Sequence, residues 1–269
     1  MSRYHEIESK YLLKFRNRHD FNSVISFLND KIFITKDDMI FNENDERIIS
    51  HILKRYNNNE PLPYILRRVF FYKSYFNIKK GVFIPRQDSE AMIEDIITNN
   101  KPEKVCEFFC GSGALGLSVL NNVQLKKLEL IDICKKALKC AKSNIKEGNV
   151  LVLRGYFEKL IITKSKNFDL IILNPPYIDI NDINVSQSVK EWEPHKAIFS
   201  KDNGLYYFNI LFSKISECFS LNKKLKIYCE FGYRQKNDIS KMVPHDIKVT
   251  YKKDYQKNWR YFILESKND

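Results

Sequence analysis

The stretch Asp169-Leu170-Ile171-Ile172-Leu173-Asn174-Pro175-Pro176-Tyr177 decides how the chain folds. Its apolar, β-branched first half is too short for a surface helix and predicts a buried strand. The prolines cannot donate to a β-ladder, and Pro175 favours extended backbone at Asn174, so the strand ends there. Ligands of open α/β sheets bind at this carboxyl edge, which makes Asn174 a candidate site residue. A turn that merely ends a strand is the alternative interpretation.

The same turn suits an enzyme that methylates an –NH2 group. The side-chain oxygen of Asn174 and the carbonyl of Pro175 can each accept an N–H bond from the target. The ring of Tyr177 can cover the target. We therefore expect Asn174, Pro175, Pro176 and Tyr177 to be catalytic and to contact the substrate.

Strands and helices alternate from Lys104 onward, which predicts an α/β fold with a mainly parallel sheet. A helix is expected near residues 205–219. The seven expected strands are residues 105–109, 128–132, 151–153, 169–173, 225–231, 247–251 and 260–264.

The loop after the first strand predicts a ligand site. Cys110-Gly111-Ser112-Gly113, with Gly116, gives Gly-x-Gly-x-x-Gly at the start of a helix. Glycines let a ligand approach the backbone, and the helix offers free N–H groups, but many nucleotide-binding sheets share this motif. The preceding acid, Glu107, disfavours a phosphate ligand and suits a cationic amino acid moiety.

Two more rim residues belong to this expected site. Asp132 ends the second strand about twenty residues after Gly111, a spacing at which a carboxylate can accept both hydroxyls of a ribose. A helix cap is compatible with that role. Tyr156, at the third strand, is expected either to stack on an adenine or to pack as a core aromatic.

Three domains or segments are expected along the chain. Residues 1–60 carry apolar stripes at helical spacing, with a cap at Asn22 or Ser23, and form a helical domain that docks a partner or acts as a structural cap. Residues 61–84 form a linker that contains a β-hairpin, since a Pro-punctuated break precedes aromatic and β-branched runs. Residues 85–269 form the catalytic domain.

Three polar residues follow the linker. Arg86 is expected either in a cleft at the domain junction or in a surface ion pair. Asp88 or Ser89 is expected to cap the next helix.

Composition excludes several classes of protein. At 269 residues the chain fits one large or two ordinary domains. No apolar run approaches the ~20 residues that span a bilayer, and the N-terminus lacks a signal-peptide core, so no membrane partner and a cytoplasmic location are expected. The six cysteines form no metal-ligand cluster, and reduced thiols with no metal are expected.

The net charge of +12 is compatible with a nucleic acid or an acidic protein partner. The lysines form no single arm or stripe along the sequence. Charge alone therefore does not decide the partner.

Several motifs, in order, resemble the peptide chain release factor N(5)-glutamine methyltransferases, the HemK/PrmC family, over nearly the whole chain. Together they are more specific than Asn-Pro-Pro-Tyr, which also occurs in adenine-specific DNA methyltransferases. The segments are Glu60-Pro61-Leu62-Pro63-Tyr64-Ile65, Phe71-Tyr72, Phe76-Asn77-Ile78, Pro85-Arg86-Gln87-Asp88-Ser89-Glu90, Asn174-Pro175-Pro176-Tyr177, Glu193-Pro194 and Asp202-Asn203-Gly204-Leu205.

The chain departs from the family pattern at five positions. Phe109 and Cys110 stand where the family usually shows Gly-Thr. Gly155 replaces an acid, and Arg67 and Lys73 replace glycines of the linker and hairpin. Weaker cofactor binding or reduced activity is therefore an open alternative.

The resemblance implies a two-domain class I methyltransferase, a monomer, that uses S-adenosylmethionine (AdoMet). The implied substrate is the glutamine of the Gly-Gly-Gln loop in release factors, with Arg86 and the 174–177 turn contacting it and nucleic acid as a secondary partner. Open alternatives are a ribosomal-protein glutamine or nucleic-acid adenine methyltransferase, or an inactive relative that binds a release factor or RNA. The expected AdoMet contacts are Glu107, Phe109, Cys110, Gly111, Ser112, Gly113, Asp132, Tyr156 and Asn174.

Overall fold

The chain divides into two units, Met1–Arg68 and Val69–Asp269. The computed structural model describes residues 2–29 and 39–267. Residues 30–38, within the expected helical region, lie outside the described residues. No helix in the two described ranges is long and apolar enough to cross a membrane.

The first unit is mainly helical, and Phe21 and Ile49 are fully buried in its core. The expected cap at Asn22 or Ser23 is wrong, because the helix that contains them begins at Arg18. The elements are β1 Ser2–Arg3, α1 Tyr4–Tyr11, α2 Arg18–Asn29, β2 Ile40–Phe41, α3 Glu43–Asn57 and α4 Leu62–Leu66, with β1 and β2 antiparallel.

The expected hairpin consists of β3 Arg68–Phe71 and β4 Ser74–Asn77. Its turn holds Tyr72 at φ +40° and Lys73 at φ +63°. This left-handed conformation favours glycine, which accounts for the glycine that the family has in place of Lys73. The chain keeps the turn and tolerates the strain.

The second unit is built on a seven-stranded sheet, and the fold prediction is confirmed. The strands are β5 Lys104–Phe108, β6 Lys127–Asp132, β7 Val150–Arg154, β8 Leu170–Leu173, β11 Lys226–Glu230, β12 Ile247–Lys253 and β13 Trp259–Ser266. Their order is β12-β13-β11-β8-β5-β6-β7, and β13 runs in the direction opposite to the other six strands. The other elements are α5 Glu90–Asn99, α6 Ala114–Leu120, α7 Lys135–Asn144, α8 Phe157–Ser165, β9 Ile178–Asp179, α9 Gln187–Trp192, β10 Phe199–Ser200, α10 Tyr206–Leu221 and α11 Lys236–Met242.

Helices cover both faces of the sheet, which explains why β8 is apolar throughout. Leu170 and Ile172 join the core that includes residues of α5, α6 and α7. Ile171 and Leu173 join the core that includes residues of α8, α10 and α11. With both faces buried, β8 fixes the position of the turn that follows it.

The turn after β8, residues 174–177, is called the proline turn here. Two loops hold it in place. Gly204, before α10, has φ +84°, and a Cβ there would stand well inside van der Waals contact of the Tyr177 carbonyl oxygen. The Gln235 side-chain amide, before α11, donates to the same oxygen at 2.9 Å. Gly204 is therefore required for this close approach as well as for its backbone conformation.

Replacing Gly204 with Ala should destabilise the protein for two reasons: strain in the left-handed backbone and a clash of the new Cβ with the Tyr177 carbonyl oxygen. Gly81→Ala is the matched control, because Gly81 has φ +86° and its built Cβ meets no atom closer than 3.6 Å. We expect about 1–2 kcal/mol from the left-handed backbone in each variant and a further loss of similar size in Gly204→Ala. Urea unfolding measures both. Equal losses would show that the approach to Tyr177 is unimportant.

Candidate active site

The strand order creates a switch point between β5 and β8. The chain leaves β5 for β6 and β7 on one side and returns on the other side as β8. Phe108 pairs with Ile131 of β6 and with Leu173 of β8, so the loop after Phe108 shares one sheet edge with Asp132 and Asn174. Ligands of open α/β sheets bind at this position.

The loop after β5 is open to a ligand at Gly111. This residue has φ +55°, and no atom lies within 4 Å of the place where a Cβ would stand. Its amide donates to one oxygen of Asp132 at 3.0 Å, and the Cys134 amide donates to the other at 2.7 Å. Burial raises the pKa of Asp132, whereas these amides lower it. Each carboxylate oxygen retains a lone pair for a ribose hydroxyl.

Glu107 lies behind this loop. Its side chain is 1% exposed, and one oxygen accepts the Gly116 amide at 2.8 Å, satisfying a free N–H in the first turn of α6. Burial raises the pKa of Glu107 to about 8. The side chains of Cys110 and Ser112 are also buried, so these residues can offer a ligand mainly their backbone.

Two of the departures near this loop, Phe109 and Gly155, are accommodated by packing. Phe109 adopts φ +58°, which favours the glycine of the family, and its ring lies 4.8 Å from Tyr207 and 5.3 Å from Phe157 between centroids. Leu160 fills the space that a side chain at Gly155 would need.

The expected adenine-stacking residue, Tyr156, is 48% exposed. It directly precedes α8, and Lys159 lies over its ring at 5.4 Å from the centroid. Its ring is therefore accessible rather than part of the core.

A cavity of about 490 Å³ adjoins the proline turn. Asn174, Pro175, Tyr177 and Arg86, four of the five residues expected to contact substrate, line it; Pro176 is buried and does not. Among the described residues, none forms a hydrogen bond with the Asn174 side chain. Its amide is therefore available to a target that enters the cavity.

Arg86 takes part in a partly buried ion pair at the wall of the cavity. It lines the cavity and also forms an ion pair with Glu193, which is 5% exposed. A second oxygen of Glu193 accepts the Ile84 amide at 3.3 Å. This pair joins the Pro-Arg and Glu-Pro motifs, which are far apart in sequence.

Tyr177 is fixed by a buried carboxyl group. Its hydroxyl donates to Glu230, at the end of β11, at 2.8 Å, and the Ser89 hydroxyl also donates to Glu230. Glu230 is 1% exposed. Burial raises the pKa of both Tyr177 and Glu230.

Arg260 on β13 supplies a positive charge to this cluster. It is 9% exposed and pairs with Asp88 at 3.1 Å and with Asp254 at 3.0 Å. The expected capping of α5 by Asp88 or Ser89 is therefore wrong, since Ser89 makes no cap bond and both side chains turn to the buried cluster.

Glu230, Gln235 and Arg260 contribute to the site but were not predicted from the sequence. For Glu230 a signal was present, because it ends a strand with an acid at the same edge as Asp132. For the others no local pattern exists. In residues 2–29 and 39–267, no group of three or more His, Cys, Asp or Glu side chains is placed to hold a metal ion.

Comparisons with known proteins show that this chain is similar to methyltransferases. The family model "Methyltransferase small domain" matches residues 75–191. A release factor glutamine methyltransferase from Mycoplasma mycoides subsp. mycoides is 37% identical, over 81% of this chain and 80% of that protein, and one from Clostridium botulinum is 32% identical, over 78% and 77%. The structure of Trm1 from Pyrococcus horikoshii with S-adenosyl-L-methionine has a TM-score of 0.50 at 13% identity, covering 74% of this chain and 61% of that chain.

The sheet order and the site at its switch point define a class I AdoMet-dependent methyltransferase. The names of the two similar proteins indicate the particular methyltransferase family within this class. The chain belongs to the release factor glutamine methyltransferase family, as its motifs predicted.

The residues at the switch point fit AdoMet. Gly111 borders open space, and Asp132 beside it has free lone pairs for a ribose. Asn174 stands at the same edge and also lines the cavity. These residues would hold the cofactor next to whatever occupies the cavity.

The hydrogen bond between Tyr177 and Glu230 should appear as coupling in a double-mutant cycle. We expect Tyr177→Phe and Glu230→Ala each to lower the free energy of unfolding. The loss in the double variant should be smaller than the sum of the two single losses, by at least about 1 kcal/mol. Glu230→Gln keeps an acceptor oxygen and should lose less than Glu230→Ala. Urea unfolding gives all four values.

Tyr206→Phe is the control for this cycle, because Tyr206 is 37% exposed. Its effect should add to that of Glu230→Ala. Additive effects of Tyr177→Phe and Glu230→Ala would contradict the assignment.

Proposed function

We propose that this enzyme transfers a methyl group from AdoMet to the side-chain nitrogen of the glutamine in the Gly-Gly-Gln motif of peptide chain release factors. The observation that carries the proposal is the unpartnered Asn174 amide, which lines the cavity and lies at the same sheet edge as the loop after β5. The names of the relatives support the same substrate. Since release factors act on ribosomes, the proposal places the protein in the cytoplasm.

Orientation of the target nitrogen is the main task of the chain. An amide nitrogen is a poor nucleophile because its lone pair is delocalised into the carbonyl. The Asn174 side-chain oxygen and the Pro175 carbonyl accept its two N–H bonds, which stops rotation and directs the lone pair outward. Such positioning contributes several kcal/mol, up to ~7–11 in the best intramolecular models.

AdoMet, when bound, supplies an electrophilic methyl group on a sulfonium. The target nitrogen would accept this methyl group while a neutral thioether leaves, and its surplus proton would pass to water. No dedicated general base is needed before the attack. The uncharged acceptors Asn174 and Pro175 also stabilise the positive charge that develops on the nitrogen.

Tyr177 and Arg86 shape the pocket around the target. The Tyr177 ring is held at the cavity wall by its hydroxyl bond to Glu230. Arg86 uses part of its guanidinium on Glu193 and retains N–H groups for carbonyls of the target segment.

The helical region at the start of the chain, expected at residues 1–60, is proposed to recognise the release factor. It has its own apolar core and forms most of the first unit. The catalytic elements all belong to the second unit. Recognition and chemistry would thus be carried by different parts of the chain.

Asn174 gives the sharpest test of the mechanism. Asn174→Ala removes the acceptor, and we expect methylation of the release factor to fall about 100-fold or more. Asn174→Asp keeps an acceptor and should lose less. AdoMet affinity should change far less than turnover, because the lost contact is mainly with the target. Single-turnover kinetics and AdoMet titration measure both quantities.

Asn121→Ala, an exposed asparagine after α6, is the matched control and should behave as wild type. If Asn174→Ala methylates at the wild-type rate, the proline turn only ends a strand and the mechanism is wrong.

Removing residues 1–68 tests the recognition role. The truncated chain should bind AdoMet within about twofold of the full chain but lose methylation of intact release factor, because its docking surface is gone. A short Gly-Gly-Gln peptide is the control substrate and should be methylated equally by both proteins. Full-rate methylation of intact release factor by the truncated, folded chain would exclude the role.

A further inference from the structure

The fold collects lysines at the sheet edge opposite the active site. Strands β5, β6, β8 and β11 are parallel, so their amino ends share one edge and Asn174 lies at the other. Lys104, Lys127 and Lys226 begin three of these strands, and Lys248 lies at the same end of β12. The sequence shows no lysine stripe because these residues are far apart along the chain.

Loops at this edge add further exposed lysines. We call the whole set the basic edge. Its members are Lys101, Lys104, Lys126, Lys127, Lys166, Lys223, Lys224, Lys226, Lys248 and Lys267. Part of it surrounds a cavity of about 470 Å³ lined by Lys223, Lys224, Lys226, Lys248, Lys267 and a single carboxylate, Glu265.

Carboxylates neutralise only part of this charge. Glu265 is shared by Lys226 at 3.2 Å and Lys248 at 2.9 Å, and Glu103 pairs with Lys126 at 2.8 Å. Asp169, also at this edge, accepts the amides of residues 103 and 104.

Six cations of the basic edge have no carboxylate within ion-pair distance among the described residues: Lys101, Lys104, Lys166, Lys223, Lys224 and Lys267. Lys223 and Lys224 are adjacent in sequence and line one cavity, so their like charges repel one another weakly through solvent. A polyanion laid along the edge would relieve this repulsion.

The composition of the basic edge favours phosphate over protein. Protein interfaces are depleted of lysine and are built around aromatic or apolar anchors. The lining of the basic cavity contains only one apolar residue, Leu225, which is 1% exposed. Lysine ammonium groups without such anchors are typical of contacts to a phosphate backbone, which need no base-specific geometry.

We propose that the basic edge binds the phosphate backbone of a nucleic acid, RNA or DNA, while the opposite edge carries the methyl-transfer site. The binding is independent of sequence and sensitive to salt. It leaves the substrate cavity free, because the two sites lie at opposite ends of the same strands.

Fluorescence anisotropy with labelled 20-nucleotide RNA and DNA of one sequence tests the proposal. The variant Lys104→Gln/Lys223→Gln/Lys224→Gln should bind about tenfold or more weakly at low salt. Its slope of log K against log salt should be shallower by about 2, since each lost single-strand phosphate contact removes ~0.7. The tighter of the two strands identifies the natural source of phosphate.

Lys139→Gln/Lys142→Gln/Lys252→Gln is the control, because it removes the same charge from exposed lysines elsewhere on the second unit. It should lose much less affinity and keep the wild-type salt slope. Equal losses in the two variants would show that only net charge matters. Tighter binding to polyglutamate than to either strand would assign the edge to an acidic protein, and no binding to either strand at low salt would overturn the proposal.

Discussion

The hydrogen bond from the Tyr177 hydroxyl to the buried Glu230 is the contact on which the active site depends. It fixes the proline turn at one end, while the buried strand β8 fixes it at the other. Glu230 also binds Ser89, and Arg260 compensates the neighbouring carboxylates. A buried carboxyl group is tolerated only when it has such partners. The Asn174 amide can therefore stay unpartnered and still be held in place.

Strand order is the second constraint, because it decides what the proline turn meets. The switch point sets the loop after β5 at the same sheet edge as Asn174, and Asn174 also lines the cavity. Three residues that replace family glycines, Arg67, Lys73 and Phe109, all keep left-handed backbone at φ +57° to +63°. Left-handed backbone at these non-glycine residues has a conformational cost, and aromatic packing around Phe109 offsets part of it.

Sequence reasoning predicted most of the fold because its signals are local. Alternating apolar strands and helices, the loop at Gly111 and the turn after β8 can each be recognised within a few residues. Side chains that pair across long separations could not be predicted in this way. Ser89 has the sequence signature of a helix cap, yet its hydroxyl serves Glu230, 141 residues away. The basic edge could not be predicted from the sequence for the same reason, because its lysines come together only when the strands pair in parallel.

The most direct test of the central claim is to determine which substrate atom receives the methyl group. The full chain is incubated with isotope-labelled AdoMet and an equimolar mixture of a release factor, ribosomal proteins and DNA, and the label is located by mass spectrometry. The account predicts one methyl group on the side-chain nitrogen of the Gly-Gly-Gln glutamine, and none on a release factor with that glutamine replaced by alanine. Label on DNA or on a ribosomal protein instead, or no transfer despite measurable AdoMet binding, would contradict it.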